Sequence, residues 1–118
     1  MPLSIEVDRS AGRPTFTLRG ELDMLTAPQL TSRFLHAIDR EAGDVVLDVR
    51  RLEFCDSSGL AALVRLAQHL DIGTLTIAGP HPIVRRLLEV SGMIDVFVVT
   101  DGGPADPTAQ RTATLSPA

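Results

Sequence analysis

The sequence has few aromatic residues, a single cysteine and no long apolar run. Only 3% of its 118 residues are aromatic, with no Trp and no Tyr, so it lacks the stacking side chains of a single-stranded nucleic-acid binder. The one cysteine, Cys55, cannot form an internal disulfide, and no charged leader precedes an apolar stretch. No segment approaches the roughly 20 apolar residues that span a bilayer. We therefore expect a cytoplasmic protein that does not associate with membranes.

The charge is weakly acidic. A formal net charge of -4 provides no basic surface for nucleic acid or anionic lipid, so direct binding to either is not expected. An apolar content of 44% is enough for one core, and this core must be mainly aliphatic. The length corresponds to a single domain.

Motifs for catalysis, metals and nucleotides are also missing. The sequence contains no G-x-S-x-G, no G-x-G-x-x-G and no Walker-type phosphate loop. His36, His69 and His81 lie on three different predicted elements, and neither they nor Cys55 show metal-ligand spacing. We expect no enzyme activity, no metal and no cofactor, and we interpret Cys55 as a small packed residue.

The first third of the chain predicts a hairpin followed by a helix. Apolar residues alternate with polar ones around Ile5 and Phe16, on either side of a Gly-Arg-Pro turn. The pattern breaks at residues 20–23. Shortly after them, Thr26 and Gln29 match a capping box. The following apolar stripe predicts a helix that ends near Gly43.

The remainder alternates between strand and helix patterns. It predicts strands over residues 45–49, 75–78 and 96–99, and helices over about 58–71 and 82–90. The first of these helices is expected to end at Gly73 in a left-handed conformation. This order favours an α/β domain over residues 3–100, with a mixed, mostly parallel sheet of four or five strands and helices mainly on one face. The Gly, Pro, Ala, Thr and Ser composition of residues 101–118 predicts a disordered tail.

The turn Asp56-Ser57-Ser58-Gly59 lies between a buried strand and an apolar-striped helix. Asp and Ser are among the best N-cap residues, so the turn is consistent with an ordinary helix start. A helix start also presents free N–H groups and the positive end of the helix dipole, which suit a phosphate. Local chemistry alone favours the ordinary cap.

Four segments in order resemble the STAS family, and in particular its small bacterial anti-sigma factor antagonists. They are residues 16–23 (F-T-L-R-G-E-L-D), 45–60 with the D-S-S-G turn, 79–88 (G-P-H-P-I-V-R-R-L-L) and 91–94 (S-G-M-I). The likeness covers about residues 3–99. It implies a single STAS domain with the architecture described above.

The resemblance also implies a function. In the family, a serine of the D-S-S-G loop is phosphorylated by a partner that is both anti-sigma factor and GHKL-type serine kinase, and the unphosphorylated form binds that partner and releases the sigma factor. A serine phosphatase reverses the modification. By position, Ser58 aligns with the phosphoacceptor, with Ser57 as runner-up, and Asp23 aligns with an acidic residue that engages the kinase. Asp56 would cap the helix and hold the loop.

The predicted partner surface combines the serine turn, the exposed start of its helix and the G-E-L-D segment, with Arg65 at its margin. Its residues are Glu21, Asp23, Asp56, Ser57, Gly59 and Leu60. The alternative function is a stressosome-like scaffold or sensor module in which the same fold assembles with itself. For the switching protein we expect a monomer or a weak dimer.

Overall fold

The structure is a computed structural model that describes residues 2–10 and 12–101. Over those residues the chain forms five strands, three α-helices and one short 3-10 helix. The elements are β1 (Ser4–Asp8), β2 (Thr15–Leu22), α1 (Ala27–Ala37), β3 (Val45–Cys55), α2 (Ser57–His69), β4 (Leu75–Ala78), α3 (Pro82–Val90), the 3-10 helix (Ile94–Val96) and β5 (Val98–Thr100). Apart from Asp101, the tail expected from residue 101 onward lies outside the described residues.

The strands follow chain order across one sheet, β1-β2-β3-β4-β5. The β1–β2 pair is antiparallel, with Ile5 opposite Leu18, whereas β2–β3, β3–β4 and β4–β5 are parallel. Each parallel step between neighbouring strands contains one α-helix, and the right-handed crossovers expected of such steps would place successive helices on the same face. The α/β architecture with a mostly parallel sheet is therefore confirmed.

An aliphatic core fills the space between the sheet and its helices. Two of the few aromatic residues lie at its centre, with the rings of Phe16 and Phe34 5.2 Å apart. Both side chains are fully buried. The largest buried aliphatic side chains come from every layer: Leu18, Leu22, Leu30, Ile38, Leu47, Leu52, Leu63, Leu66, Leu75 and Ile77.

Strands β2 and β3 run further than the sequence pattern predicts. Gly20 and Glu21 continue β2 instead of breaking it, and β3 extends to Cys55 instead of ending at Val49. The β2–β3 ladder contains register shifts at these points, so the buried residues of β3 recur at Val49, Leu52 and Cys55 and not at every second position. Such irregularities interrupt the alternation of buried and exposed residues by which a strand is predicted from sequence. At Gly20, with φ +106°, a Cβ would also clash with the Pro2 carbonyl oxygen.

Several predicted element ends are wrong. Helix α1 ends at Ala37 rather than near Gly43, α2 ends at His69, and residues 94–96 form a 3-10 helix before β5 begins. Gly73 has a positive φ, but it lies beyond the helix end instead of capping it. The capping box does not form either, because the Thr26 side chain makes no cap hydrogen bond and the Gln29 amide donates to the Leu3 carbonyl.

Candidate functional site

The sheet brings two polar loops to the same edge. Strands β2 and β3 are parallel neighbours, and their last residues, Leu22 and Cys55, are paired. Asp56, the residue that follows β3, donates its backbone N–H to the Leu22 carbonyl oxygen at 3.2 Å. Because the carboxyl ends of parallel strands meet at one edge, the loop after β2 and the turn before α2 are held side by side.

Asp56 begins helix α2. Its backbone is extended, with φ -101° and ψ -173°, and its side chain accepts a hydrogen bond from the Gly59 N–H at 2.9 Å. The Asp56 carbonyl oxygen accepts the first helical hydrogen bond, from the Leu60 N–H. This is N-cap geometry, in which the carboxylate satisfies one of the free N–H groups of the first turn.

The two serines occupy the first two positions of α2 but differ in environment. Ser57 is exposed, whereas Ser58 is partly buried. Ser58 lines a groove of about 510 Å³ between the first halves of α1 and α2. The rest of the lining comes from Met24, Ala27, Pro28, Thr31, Ser32, Ala61, Ala62 and Arg65. The serine turn therefore opens onto a defined depression.

Gly59 and Leu60 face the interior, so the expectation that this part of the helix start is exposed is wrong. Both are buried. A Cβ on Gly59 would lie 2.6 Å from the Leu22 carbonyl oxygen and 2.9 Å from Cys55 Sγ. Only glycine lets the first turn of α2 approach the end of β2 this closely. These two residues support the site from behind and do not form its surface.

Hydrogen bonds to a carboxylate and a hydroxyl fix the loop at residues 23–26. The Asp23 carboxylate accepts from the backbone N–H groups of Leu25 and Thr26, each at 3.0 Å. Thr26 Oγ1 accepts from the Asp23 N–H and donates to the Glu21 carbonyl, each at 2.9 Å. The bond from the Thr26 N–H is the main reason that the pKa of Asp23 is lowered. Glu21 itself is partly buried on β2, opposite Phe54.

This loop projects two apolar side chains that sequence reasoning missed. Met24 is 69% exposed and Leu25 is 84% exposed. Large apolar side chains in this setting, next to a groove and rimmed by polar groups, are typical of a protein-binding surface. The available signal was an apolar pair enclosed by Asp23 and Thr26, two residues that fix turns through their side chains.

Other chemistry is not supported around Ser58. His69 lies at the far end of α2, with Nε2 2.9 Å from the Ile38 carbonyl oxygen and its ring edge-on to Phe34. Burial, together with the neighbouring Asp56 charge, raises the pKa of the Cys55 thiol to about 12. Over residues 2–10 and 12–101, no three His, Cys, Asp or Glu side chains cluster as metal ligands. None of the described helices is both long and apolar enough to cross a membrane.

Comparison with known proteins identifies the family. The family described as "Mlab, STAS domain" matches residues 5–100. The anti-sigma F factor antagonist of Paenibacillus polymyxa is 31% identical to this chain, over 86% of this chain and 89% of that protein. This chain is a STAS-domain protein of the anti-sigma factor antagonist family.

Solved structures have the same STAS fold. An anti-sigma factor antagonist from Mycobacterium paratuberculosis superposes with a TM-score of 0.77 at 24% identity, over 95% of this chain and 94% of that one. The antagonist SpoIIAA in its unphosphorylated form gives a TM-score of 0.73 at 22% identity, over 95% and 98% of the two chains. SpoIIAA from Bacillus has also been solved in a phosphorylated form, with a TM-score of 0.64 at 23% identity, over 81% of this chain and 90% of that one.

Proposed function

We propose that this STAS domain switches the partner of an anti-sigma factor. In its unphosphorylated form it binds an anti-sigma factor that is also a GHKL-type serine kinase, and the sigma factor is released. Phosphorylation of Ser58 ends the binding, and a serine phosphatase restores it. The domain catalyses no reaction itself. We place the exchange in the cytoplasm, where RNA polymerase acts.

The observation that carries this proposal is the position of Ser58. It opens onto the groove that Met24 also lines, and the Asp23 loop stands at the same sheet edge. A modification at Ser58 therefore lies inside the surface that we assign to the partner. The curated relative described above is itself an anti-sigma factor antagonist.

The same geometry favours Ser58 over Ser57 as the acceptor. Ser57 is exposed and does not line the groove, whereas Ser58 does. In the transfer, Ser58 Oγ would take the γ-phosphoryl group of ATP and lose its hydroxyl proton to a base of the kinase, with ADP as the leaving product. Ser57 remains the second candidate.

The contact surface that we propose differs in part from the one expected from sequence. Asp23, Met24 and Leu25 form one side, and Ser57 and Ala61 form the other, all of them at least partly exposed. Apolar side chains would supply most of the affinity, since burying one contributes about 1.5 to 3 kcal/mol. Asp23 and the partly exposed Asp56 would contribute charge and hydrogen-bonding specificity.

Phosphate at Ser58 would oppose binding without unfolding the domain. It adds about -1.5 to -2 charges at a helix N-terminus, where the free N–H groups and the dipole tolerate an anion. At the interface, the same charge would lie near the N-cap Asp56 and the adjoining Asp23 loop, and it must be desolvated when the partner binds. A penalty of about 3 to 4 kcal/mol would lower the affinity by a few hundred-fold.

Phosphorylation in vitro tests the acceptor. Each GHKL-type serine kinase of the source organism is purified and mixed with this chain and radiolabelled ATP. We expect one of them to label the wild type and Ser57→Ala but not Ser58→Ala. Unchanged labelling of Ser58→Ala, or no labelling by any of these kinases, contradicts the proposal.

A binding assay tests the switch. With the kinase that labels the wild type, Ser58→Asp should bind at least tenfold more weakly while its thermal midpoint stays close to that of the wild type. The scaffold function predicts instead that the chain self-associates at low micromolar concentration, independently of any kinase, which sedimentation velocity would detect.

A further inference from the structure

The groove beside Ser58 has the lining of an anion site. Arg65 is its one charged lining residue, and none of its lining residues is acidic. Three lining residues carry hydroxyl groups: Ser58 on α2, and Thr31 and Ser32 on the facing helix α1. The remaining lining residues are apolar. A phosphate on Ser58 that entered the groove would therefore meet one guanidinium and the hydroxyl groups of Thr31 and Ser32, with no carboxylate among the lining residues.

Helix geometry allows Arg65 to reach the group attached to Ser58. The two residues are seven positions apart on α2, so they lie on the same helix face about 10.5 Å apart along the axis. Long side chains on a helix point back toward its N-terminus, so Arg65, which lines the same groove as Ser58, can extend its guanidinium in that direction. Arg65 is exposed, and among the described residues it has no hydrogen bond or ion pair that would have to break before it binds a phosphate.

We propose that the phosphate of phosphorylated Ser58 folds into the α1–α2 groove, where Arg65 binds it from the same helix and Thr31 or Ser32 donates from the other. This inference rests on the proposed phosphorylation of Ser58. Arginine suits the task, because its planar guanidinium can donate two parallel hydrogen bonds to phosphate.

The consequence is a second way of switching. A phosphate bound in the groove fills the depression between the helices with a hydrated, charged group. The partner can then no longer pack into this depression, and it also meets a repulsive charge. The bound phosphate also holds the phosphoserine against its own domain, which should slow its removal by a phosphatase. Arg65 is then a positioning residue for the phosphorylated state.

The test uses the full chain with phosphoserine installed at position 58 by genetic encoding, which requires no kinase. The phosphate is titrated between pH 4 and 8 and followed by ³¹P NMR. The second pKa of a phosphoserine in solution is about 6. We expect the phosphate midpoint of the chain with no other substitution to lie below this solution value, because a nearby cation favours the dianion. In Arg65→Gln the midpoint should be higher than in that chain by about 0.5 pH unit or more.

Two further variants separate the groove from general electrostatics. Arg51→Gln removes an exposed arginine that does not line the groove and should leave the midpoint unchanged. Thr31→Val combined with Ser32→Ala removes the hydroxyl groups of α1 and should raise the midpoint while the circular dichroism spectrum stays the same.

Equal midpoints in the wild type and Arg65→Gln overturn the inference and show a phosphate directed into solvent. A shift of the same size in Arg51→Gln also overturns it. Because the phosphoserine is installed directly, these results do not depend on whether a kinase modifies Ser58, which the labelling experiment decides separately.

Discussion

The backbone N–H of Asp56 donates a hydrogen bond to the carbonyl oxygen of Leu22, with 3.2 Å between nitrogen and oxygen. This bond continues the β2–β3 pairing by one step beyond Cys55, to the residue that caps α2. The serine turn and the loop that begins at Asp23 are therefore held together by main-chain atoms. A charge added to Ser58 changes this surface without disturbing the contact that positions it.

Gly59→Ala should destabilise the domain. The new methyl group would meet the Leu22 carbonyl oxygen at 2.6 Å and Cys55 Sγ at 2.9 Å, so α2 must move away from β2. Overpacking of this kind costs about 1 to 3 kcal/mol, measured as the free energy of unfolding in urea. Ala61→Ser, at an exposed position of the same helix, is the matched control. A Gly59→Ala protein as stable as this control would contradict the close approach.

Asp56→Ala should weaken the start of α2. Loss of the carboxylate leaves the Gly59 N–H without its acceptor and should cost about 1 kcal/mol of unfolding free energy. Asp56→Ser keeps an N-cap acceptor and should recover most of the loss. The Gly59 amide should exchange with deuterium faster in the alanine variant only. Equal exchange in both variants would show that the cap does not protect this turn.

The Asp23 carboxyl group should titrate below the usual aspartate value of about 3.9, because the N–H groups of Thr26 and Leu25 stabilise its charged form. A pKa lowered by folding means that this stabilisation is present above the unfolded pKa and is lost as the pH falls through the folded pKa. Carbon-13 NMR of the side chain measures the midpoint. A peptide of residues 20–28 is the reference, and equal midpoints would contradict the loop geometry.

Cys55 should react slowly with iodoacetamide while the domain is folded. With a thiol pKa of about 12, only about one thiol in ten thousand is ionised at pH 8, and the thiolate is the reactive form. In guanidinium chloride the pKa returns to about 8.5 and labelling should become fast. Mass spectrometry of the alkylated protein follows both rates. Rapid labelling of the folded protein would instead indicate an accessible thiol suited to redox sensing.

Leu25→Ser should weaken partner binding without affecting stability. Leu25 is 84% exposed, so the substitution removes no buried contact from the domain, but it removes an apolar side chain from the proposed interface. We expect the affinity for the kinase identified by labelling to fall about tenfold, in line with the value of one buried leucine. Ile72→Ser, at a residue that is 56% exposed in the loop between α2 and β4, is the control. Equal binding by both variants would show that Leu25 is not part of the interface.

Much of the fold was predictable, because apolar periodicity and turn residues are local signals. The hairpin, β4 and α3 lie close to their predicted places. The misses have physical causes. The register shifts in β2–β3 broke the alternation on which strand prediction relies, and Thr26 hydrogen-bonds to Glu21 and Asp23 instead of capping α1.

The candidate site was predictable only in part. Asp56 and the serines follow from the capping preferences of Asp and Ser, and Asp23 followed from family resemblance. Gly59 and Leu60 were placed on the surface, although both are buried. Met24 and Leu25 were missed, because an apolar pair in a sequence does not reveal whether another element covers it.

The sequence by itself determined the order of strands and helices, and it determined that a helix starts at Asp56-Ser57-Ser58-Gly59, since caps and periodicity act over a few neighbouring residues. Only the tertiary structure decided which side of that helix is accessible. The approach of α2 to Leu22 buries Gly59, and the approach of α1 forms the groove that Ser58 shares with Arg65. Exposure depends on packing between elements distant in sequence, and this is why the surface of the site could not be read from its motif.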